Sequence, residues 1–160
     1  QCEEERREAE RDESLDQAMR NLEMAIAQSG ATITHDPLPT LAADDGQMVQ
    51  LLQNLIANAV KFRRPEEALA LEIATRDAGD FIEVVVSDNG VGIEKEYLEK
   101  IFNKFFQIED AMTRKVGGVG LGLALVKEII GNHHGRIWAE SEGKGKGSRF
   151  LFQLPQAEKA

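Results

Sequence analysis

Apolar residues recur every three or four positions in two stretches of the N-terminal half, and this period predicts two helices. The first covers residues 14–29, with Ser14 as the expected N-cap and Gly30 as the C-terminal stop. The second covers residues 45–62 and ends before Pro65. Beside its apolar face runs a polar face of the same period, which consists of Gln47, Gln50, Asn54, Asn58 and Lys61.

The rest of the chain predicts short strands that alternate with helices. In chain order we expect a β-prone stretch at 31–34, hairpin strands at 69–75 and 81–87, a short helix at 95–102, a helix at 121–132 and strands at 136–141 and 148–154. The expected hairpin turn is residues 77–80. We see no internal repeat, and this order of elements predicts an α+β fold.

Length and composition favour a single globular domain. The chain has 160 residues, 42% of them apolar, and a net charge of −9, which disfavours binding to nucleic acid or to anionic membranes. It has no apolar run long enough to span a bilayer, and its one cysteine, Cys2, cannot form an intramolecular disulfide. We therefore expect a cytoplasmic location, which is compatible with a membrane anchor elsewhere in a longer protein.

The charge pattern suggests where the domain begins and ends. Residues 1–13 are dominated by acidic side chains and are typical of a solvated tail or of the end of a helix from a neighbouring domain. We expect the domain to cover residues 14–155 and a short tail to cover residues 156–160.

The first candidate site follows the second hairpin strand, where Asp88 precedes Asn89, Gly90, Val91 and Gly92. A carboxylate at a strand end can accept a hydrogen bond from an exocyclic amine, and glycines let the backbone approach a flat ring. The alternative is a plain strand-ending turn, for which Asp-Asn-Gly is also typical.

The second candidate site is the glycine-rich stretch at residues 117–122, which leads into the predicted helix at 121–132. Backbone N–H groups of such a loop, together with the helix dipole, can bind phosphate oxygens. The stretch lacks the Gly-Lys-Ser/Thr ending of a Walker A loop. A tight turn before a buried helix explains the same glycines.

Residues 102–116 separate the two glycine-containing stretches. Residues 108–116 are polar and include Arg114 and Lys115, and Lys104 lies shortly before them. This composition suits a mobile lid that carries cations over a phosphate tail. For Phe102 and Phe105 we expect packing in the core.

The polar face of the second helix supplies a third group of candidates. The side-chain oxygen of Asn58 is a neutral hard ligand suited to Mg²⁺, and Lys61, one turn later, can bind a phosphate. Two asparagines four residues apart, such as Asn54 and Asn58, are also common on solvent-facing helix surfaces.

Taken in order, residues 53–62, 88–93, 102–107 and 118–123 closely resemble the N, G1, F and G2 boxes of sensor histidine kinases. The resemblance covers nearly the whole chain, and residues 54–64 are most similar to phytochrome-like and hybrid kinases. It implies the ATP-binding catalytic domain of the GHKL superfamily, with the Bergerat fold. That fold is a two-layer α/β sandwich whose mixed, mostly antiparallel sheet carries three helices on one face.

The resemblance also implies ATP and Mg²⁺ as cofactors and assigns roles to individual residues. Asn58 would ligate Mg²⁺ and Lys61 would contact phosphate, and these two are the implied catalytic residues. Asp88 would bind the adenine amino group, with Ser148 joining it near the ring through water. The implied nucleotide-binding residues are Asn54, Asn58, Lys61, Phe62, Asp88, Gly90, Gly92, Ile93, Phe106, Gln107, Gly118, Gly120, Leu121, Gly122, Leu123 and Ser148.

Three departures from the family pattern shape the expected reaction. Superfamily members that hydrolyse ATP place a general-base Glu where this chain has Asn54, and an amide cannot take a proton from water. Gln107 stands where related kinases often have Arg. None of the three histidines lies in the family's phosphoacceptor context, and adjacent residues such as His133 and His134 point in different directions, so they are poor metal ligands.

We therefore expect transfer of the γ-phosphoryl group of Mg-ATP to a histidine on a dimerisation domain outside this chain. The implied partners are that dimerisation and histidine-phosphotransfer domain, to which residues 1–13 would connect, and a response regulator receiver domain. The isolated domain is expected to be monomeric. Alternatives with the same boxes are a non-catalytic ATP-binding regulatory module, which has no need of the Mg²⁺ ligand, and an anti-sigma-type protein serine kinase.

Overall fold

A computed structural model of the chain describes residues 13–38, 43–106 and 122–156. Its helices are α1 (described residues 13–21), α2 (Glu23–Ser29), α3 (Asp45–Lys61) and α4 (Gly122–Asn132). Its strands are β1 (Thr32–His35), β2 (Ala70–Ala78), β3 (Phe81–Asp88), β4 (Arg136–Glu140) and β5 (Ser148–Pro155). Two 3₁₀ turns, at Lys95–Tyr97 and Lys100–Phe102, stand where a short helix was predicted.

The strands form a mixed five-stranded sheet in the order β1-β2-β3-β5-β4. The β1–β2 pair is parallel, and the β2–β3, β3–β5 and β4–β5 pairs are antiparallel. The predicted mixed, mostly antiparallel sheet is confirmed. Because β3 and β5 lie in the middle, a side chain at the end of either strand has neighbouring strands on both sides.

The helices pack on one face of this sheet. Leu51, Leu55 and Ile56 of α3 share a buried cluster with Val84 of β3 and Phe152 of β5. Removing such apolar surface from water contributes about 25 cal/mol per Å² and is the main stabilising term of the fold. α1, α2 and α4 add apolar side chains to the same cluster, which confirms the predicted two-layer sandwich.

The N-terminal helix differs from its prediction in two ways. Glu13 is already helical, so Ser14 is not the N-cap; it lies inside α1 with only 4% of its surface exposed. The small side chain of Ser14 fits on the buried face of α1, and this burial outweighs the preference of serine for helix caps. The backbone also leaves helical geometry at Leu22, which separates α1 from α2. Gly30 does end α2, with a φ of 66° in the left-handed region.

The hairpin between β2 and β3 is tighter than predicted. Ala78 pairs with Phe81, so the turn consists of Gly79 and Asp80 rather than residues 77–80. Gly79 has a φ of 78°, and its N–H donates to Asp77 Oδ1 over 3.0 Å. A two-residue turn of this kind suits the twist of the flanking strands, which therefore continue into the polar segment.

Candidate functional site

The candidate site begins with Asp88, the last residue of the central strand β3. Asp88 pairs with Ser148, the first residue of β5, and Ser148 Oγ donates to Asp88 Oδ2 over 2.9 Å. The other carboxylate oxygen accepts from Gly90 N over 2.8 Å. Two neighbouring strands and a following turn thus hold one carboxylate in a fixed orientation.

The surroundings of Asp88 shift its proton affinity. Burial raises the pKa of the Asp88 carboxyl above its ordinary value, because low-dielectric surroundings disfavour the charged form. Hydrogen bonds from Gly90 N, Ser148 Oγ and Ser148 N oppose this effect on the pKa but do not cancel it. A partly buried carboxylate with a shifted pKa is a candidate for ligand binding on physical grounds.

Gly90 and Gly92 are required by contacts between protein segments. A Cβ on Gly90 would lie 2.6 Å from Phe62 O and 2.8 Å from Asp88 Oδ1. Gly92 has a φ of 77°, and a Cβ there would overlap the carbonyl oxygen of Gly143. The prediction that these glycines let the backbone approach a flat ring remains untested, whereas their need for close loop packing is evident.

Two segments form the walls beside Asp88. The first is residues 89–93, which follow Asp88 in the chain, and the second is the turn between β4 and β5, residues 141–147. Ser141 Oγ accepts from Ile93 N over 3.0 Å and from Gly143 N over 3.2 Å, and it donates to Gly147 O over 2.7 Å. Gly145 N donates to Val91 O over 2.6 Å. Sequence reasoning missed Ser141; the alternating glycines at 143, 145 and 147 were the available signal for a close-packed turn.

Asn89 is a further residue that sequence reasoning passed over. Its side chain accepts from Ala70 N over 2.8 Å and donates to Ala68 O over 3.0 Å, so it ties the segment after Asp88 to the start of β2. Asn is common in such turns because its short amide can bond to nearby backbone. Here the bonded backbone atoms lie 19 and 21 positions earlier in the chain, so a rule for local turns cannot predict the bonds.

The α3 helix brings the polar candidates to the same region. Asp44 caps its start by accepting from Gln47 N over 2.9 Å. At its other end Phe62 O accepts from Val91 N over 3.0 Å, which joins α3 to the segment after Asp88. Lys61 Nζ lies 5.3 Å from the centroid of the Phe62 ring, and Asn58 and Lys61 are half-buried one turn apart.

The start of α4 lies against the same face of α3. A Cβ on Gly122 would be 3.3 Å from Asn54 Oδ1, so the helix and this amide are in near contact. Asn54 itself donates from Nδ2 to Gln50 O over 2.8 Å. Leu123 is half-buried and packs against the core rather than standing open to solvent. The structure thus brings Gly122 to the polar face that also carries Asn58.

The aromatic segment after the 3₁₀ turns divides into three environments. Phe102 is buried, and its ring meets Phe150 edge-on at 6.2 Å, which confirms the expected core packing. Phe105 contradicts that expectation: it is 71% exposed with a φ of 64°, because the left-handed backbone turns its side chain away from the core. Phe106 is half-buried, with its ring 5.9 Å from that of Tyr97.

Several predicted residues lie outside the described residues. They are Gln107, Gly118, Gly120 and Leu121, together with Arg114, Lys115 and the rest of residues 107–121. Within the described ranges, no cluster of three or more His, Cys, Asp or Glu side chains could hold a metal ion. His133 uses both ring nitrogens for protein contacts, since Nδ1 lies 2.7 Å from Ile129 O and Nε2 accepts from Asp44 N over 3.2 Å. In the described parts, no helix has the length and hydropathy of a bilayer-spanning segment.

Comparison with known proteins identifies the family. Residues 43–158 match the family described as histidine kinase-, DNA gyrase B-, and HSP90-like ATPase. Cyanobacterial phytochrome A from Nostoc sp. strain PCC 7120 is 46% identical over 145 residues, which make up 90% of this chain and 18% of that protein. The chain belongs to this ATPase family, and within it to the ATP-binding domains of sensor histidine kinases. It spans less than a fifth of the phytochrome's length, 18%.

Solved structures show the same fold. The structure of full-length ShkA in complex with AMPPNP is 30% identical with a TM-score of 0.75, over 92% of this chain and 30% of that one. The catalytic domain of histidine kinase ThkA is 27% identical with a TM-score of 0.74, over 92% of this chain and 95% of that one. ThkA in complex with the response regulator protein TrrA is 25% identical with a TM-score of 0.70, over 91% of this chain and 40% of that one.

Proposed function

We propose that this domain binds Mg-ATP beside Asp88 and donates the γ-phosphoryl group to a histidine on a dimerisation domain outside the chain. The observation that carries the proposal is the fixed, partly buried carboxylate of Asp88 between two glycine-containing loops. Membership of the ATPase family supports ATP binding by the domain. The residue roles and the phosphoryl transfer are our inference.

Asp88 is suited to recognise the adenine amino group. An ionised carboxylate offers about four acceptor positions. Asp88 Oδ1 accepts from Gly90 N and Oδ2 accepts from Ser148 Oγ, so among the described residues both oxygens keep acceptor capacity for an N–H donor of a ligand. The resemblance to the kinase boxes implies that Gly92, Ile93 and Ser148 would border the base, and Ser148 bonds to Asp88 directly.

Asn58 and Lys61 would form the phosphate side of the site, with Asn54, Phe62, Gly122 and Leu123 around them. Lys61 forms no ion pair with any described residue, so its charge is available for a phosphate. Mg²⁺ prefers few protein ligands alongside phosphate oxygens and water, and Asn58 as a lone amide ligand fits that preference. When bound, the ion would neutralise charge on the phosphates. We propose the same phosphate-binding role for Phe106, Gln107, Gly118, Gly120 and Leu121.

Transfer to a nitrogen nucleophile fits these residues better than hydrolysis. Asn54 stands where ATP-hydrolysing relatives have a Glu, and its amide already donates to Gln50 O. In the transfer, the bond between the β–γ bridging oxygen and the γ-phosphorus breaks, a bond from an imidazole nitrogen forms, and ADP leaves. The positioning of ATP by Asp88 and Lys61 would supply most of the rate enhancement of the transfer.

The partners and the domain boundaries are part of the proposal. We propose that residues 14–155 are the functional unit, monomeric in isolation, in the cytoplasm and without contact to nucleic acid or membrane. Residues 1–13 would lead from the dimerisation domain. The ThkA complex with the response regulator TrrA supports a receiver domain as the downstream partner.

Calorimetric titration of the chain with a non-hydrolysable ATP analogue, with and without Mg²⁺, tests the binding step. We expect Mg²⁺-dependent binding, and no binding under either condition would contradict the proposal. Incubation with labelled ATP and the protein's own dimerisation domain tests the transfer step. An acid-labile phosphoprotein is expected, whereas an acid-stable product would favour a serine kinase, and binding without transfer would favour a regulatory module.

A further inference from the structure

Arg64 lies three residues beyond the end of α3 and contacts both loops of the candidate site. Its Nε donates to Asn89 O over 3.0 Å, and Nη1 donates to Gly145 O over 3.4 Å. Nη2 forms an ion pair with Glu67. The guanidinium group is planar and rigid, so three separate acceptors fix both its position and its orientation.

Each of the two loop contacts belongs to a different wall beside Asp88. Asn89 directly follows Asp88 and precedes Gly90, whereas Gly145 lies at the tip of the β4–β5 turn. The walls are also bonded to each other through Gly145 N and Val91 O and through Gly147 N and Gly90 O. These two walls together form the base side of the site, and they are therefore connected to each other without Arg64.

The connection from α3 to this base side is sparser. α3 carries Asn58 and Lys61, and it reaches the base side through the bond between Val91 N and Phe62 O. Arg64 adds the two further bonds, to Asn89 O and Gly145 O. Together with the packing of α3 on the sheet, these hydrogen bonds set the distance between Asp88 and the phosphate side of the site.

We infer that Arg64 is a positioning residue, which holds the base-binding loops at the distance from Asn58 and Lys61 that a nucleoside polyphosphate must span. The inference rests on the proposed function. A ligand that contacts both sides gains affinity from the second contact only if the two sides have the right separation. A ligand that contacts the base side alone is indifferent to that separation.

The test compares adenosine with ADP, both without Mg²⁺, so that the result does not depend on Asn58. NMR titration gives the dissociation constants for adenosine and for ADP. The constant for adenosine divided by that for ADP measures the gain in affinity from adding the diphosphate. We expect Arg64→Gln to lower this ratio about tenfold relative to wild type, mainly by weakening ADP binding, because the gain from a second contact falls when the two sides no longer have the right separation. Arg64→Lys should lie in between, since one ammonium group cannot replace the guanidinium at both carbonyls.

Arg63 provides a matched control. It precedes Arg64, and its Nη1 donates to Val60 O in the last turn of α3 over 2.7 Å, so Arg63→Gln removes an equal charge without a bond to either loop. This variant should keep the wild-type ratio. Thermal melting of every variant shows whether the fold is retained.

The outcomes separate the two proposals. Wild-type binding of both ligands with a lowered ratio in Arg64→Gln alone, at a similar melting temperature, supports the positioning role. Three results overturn the positioning role and leave the proposed function intact. They are an unchanged ratio in Arg64→Gln, an equal loss of affinity for both ligands, and a failure of both Arg64 variants to fold. Absence of any nucleotide binding by the wild type overturns the proposed function and the positioning role together.

Discussion

Ser148 Oγ donates to Asp88 Oδ2 over 2.9 Å, and the two residues are paired directly across β3 and β5. The bond joins the last residue of one central strand to the first residue of the other. Because Gly90 N binds the second carboxylate oxygen, the side chain has little freedom to rotate. Burial acts against the charge at the same time, so the arrangement prepares an acceptor for a ligand at some cost in stability.

The first prediction is that Asp88→Asn stabilises the unliganded fold at neutral pH while it weakens nucleotide binding. Asn has nearly the same shape, can still accept from Gly90 N, and carries no charge to bury. Loss of a charged acceptor for the adenine amine should weaken binding by at least about tenfold. Urea unfolding gives the stability, and calorimetry gives the affinity.

The pH dependence of that comparison has a defined sign. Burial raises the pKa of Asp88 above its ordinary value of 3.8, so the folded chain binds more protons than the unfolded chain between the two pKa values. The contribution of Asp88 to stability is therefore present at low pH and is lost as pH rises through its folded pKa. The advantage of Asp88→Asn over wild type should grow over the same range and then level off. A constant advantage, or unchanged nucleotide affinity, would contradict the assignment.

The second prediction concerns two glycines that have the same backbone conformation in different surroundings. Gly92 and Gly79 have φ angles of 77° and 78°, but a Cβ on Gly92 would overlap Gly143 O, whereas a Cβ on Gly79 would meet nothing within 4 Å. Gly79→Ala should cost only the backbone strain, about 1 kcal/mol. Gly92→Ala should cost about 3 kcal/mol or more, because the two loops must also move apart.

Chemical denaturation of both glycine variants measures this difference. Gly92→Ala should also weaken ATP-analogue binding, since the displaced loops border Asp88, while Gly79→Ala should bind as wild type. Equal destabilisation of the two variants would show that the loops separate without cost, and it would remove the packing explanation for Gly92.

The parts of the fold that sequence reasoning predicted are those where burial imposes a period. α3 was expected at residues 45–62 and runs over Asp45–Lys61, because its apolar residues recur with the helical repeat and must all face the sheet. Residue-type rules were less reliable at single positions. Ser14 is buried inside a helix rather than capping it, and Phe105 is exposed, since local backbone geometry prevailed over the average behaviour of each residue type.

The sequence singled out candidate residues for the site but not the bonds that connect them. Asp88 was chosen from its place after a strand and before glycines, and from the resemblance to kinase boxes. Arg64 and Ser141 act through bonds to backbone atoms far along the chain, with |i−j| of 81 for Arg64 and Gly145 and 48 for Ile93 and Ser141. Every residue type other than proline offers the same backbone donor and acceptor, so no motif can mark the side chain that binds them.

The third prediction tests the anchor after Asp88. Asn89→Ala removes the two bonds to Ala70 N and Ala68 O and should cost about 2 kcal/mol of unfolding free energy. Asn103→Ala is the control, because Asn103 is exposed and its side chain makes no hydrogen bond with the described residues. Urea unfolding of both variants suffices, and hydrogen exchange should show faster exchange of the Ala70 amide in Asn89→Ala alone. Equal stability of the two variants would show that the anchor is dispensable.

The last prediction separates the proposed metal ligand from the fold. The side chain of Asn58 makes no hydrogen bond with the described residues, and Ala favours helices, so Asn58→Ala should change the unfolding free energy by less than about 0.5 kcal/mol. Its Mg²⁺-free affinity for ADP should equal that of wild type, because Asp88 and Lys61 remain. Added Mg²⁺ should then strengthen binding of the ATP analogue in wild type but not in the variant. Asn54→Ala is the matched control one turn away; it should retain the response to Mg²⁺, since its amide is already bonded to Gln50 O. If both variants respond to Mg²⁺ as wild type does, the ion is held by the nucleotide alone and Asn58 is not its ligand.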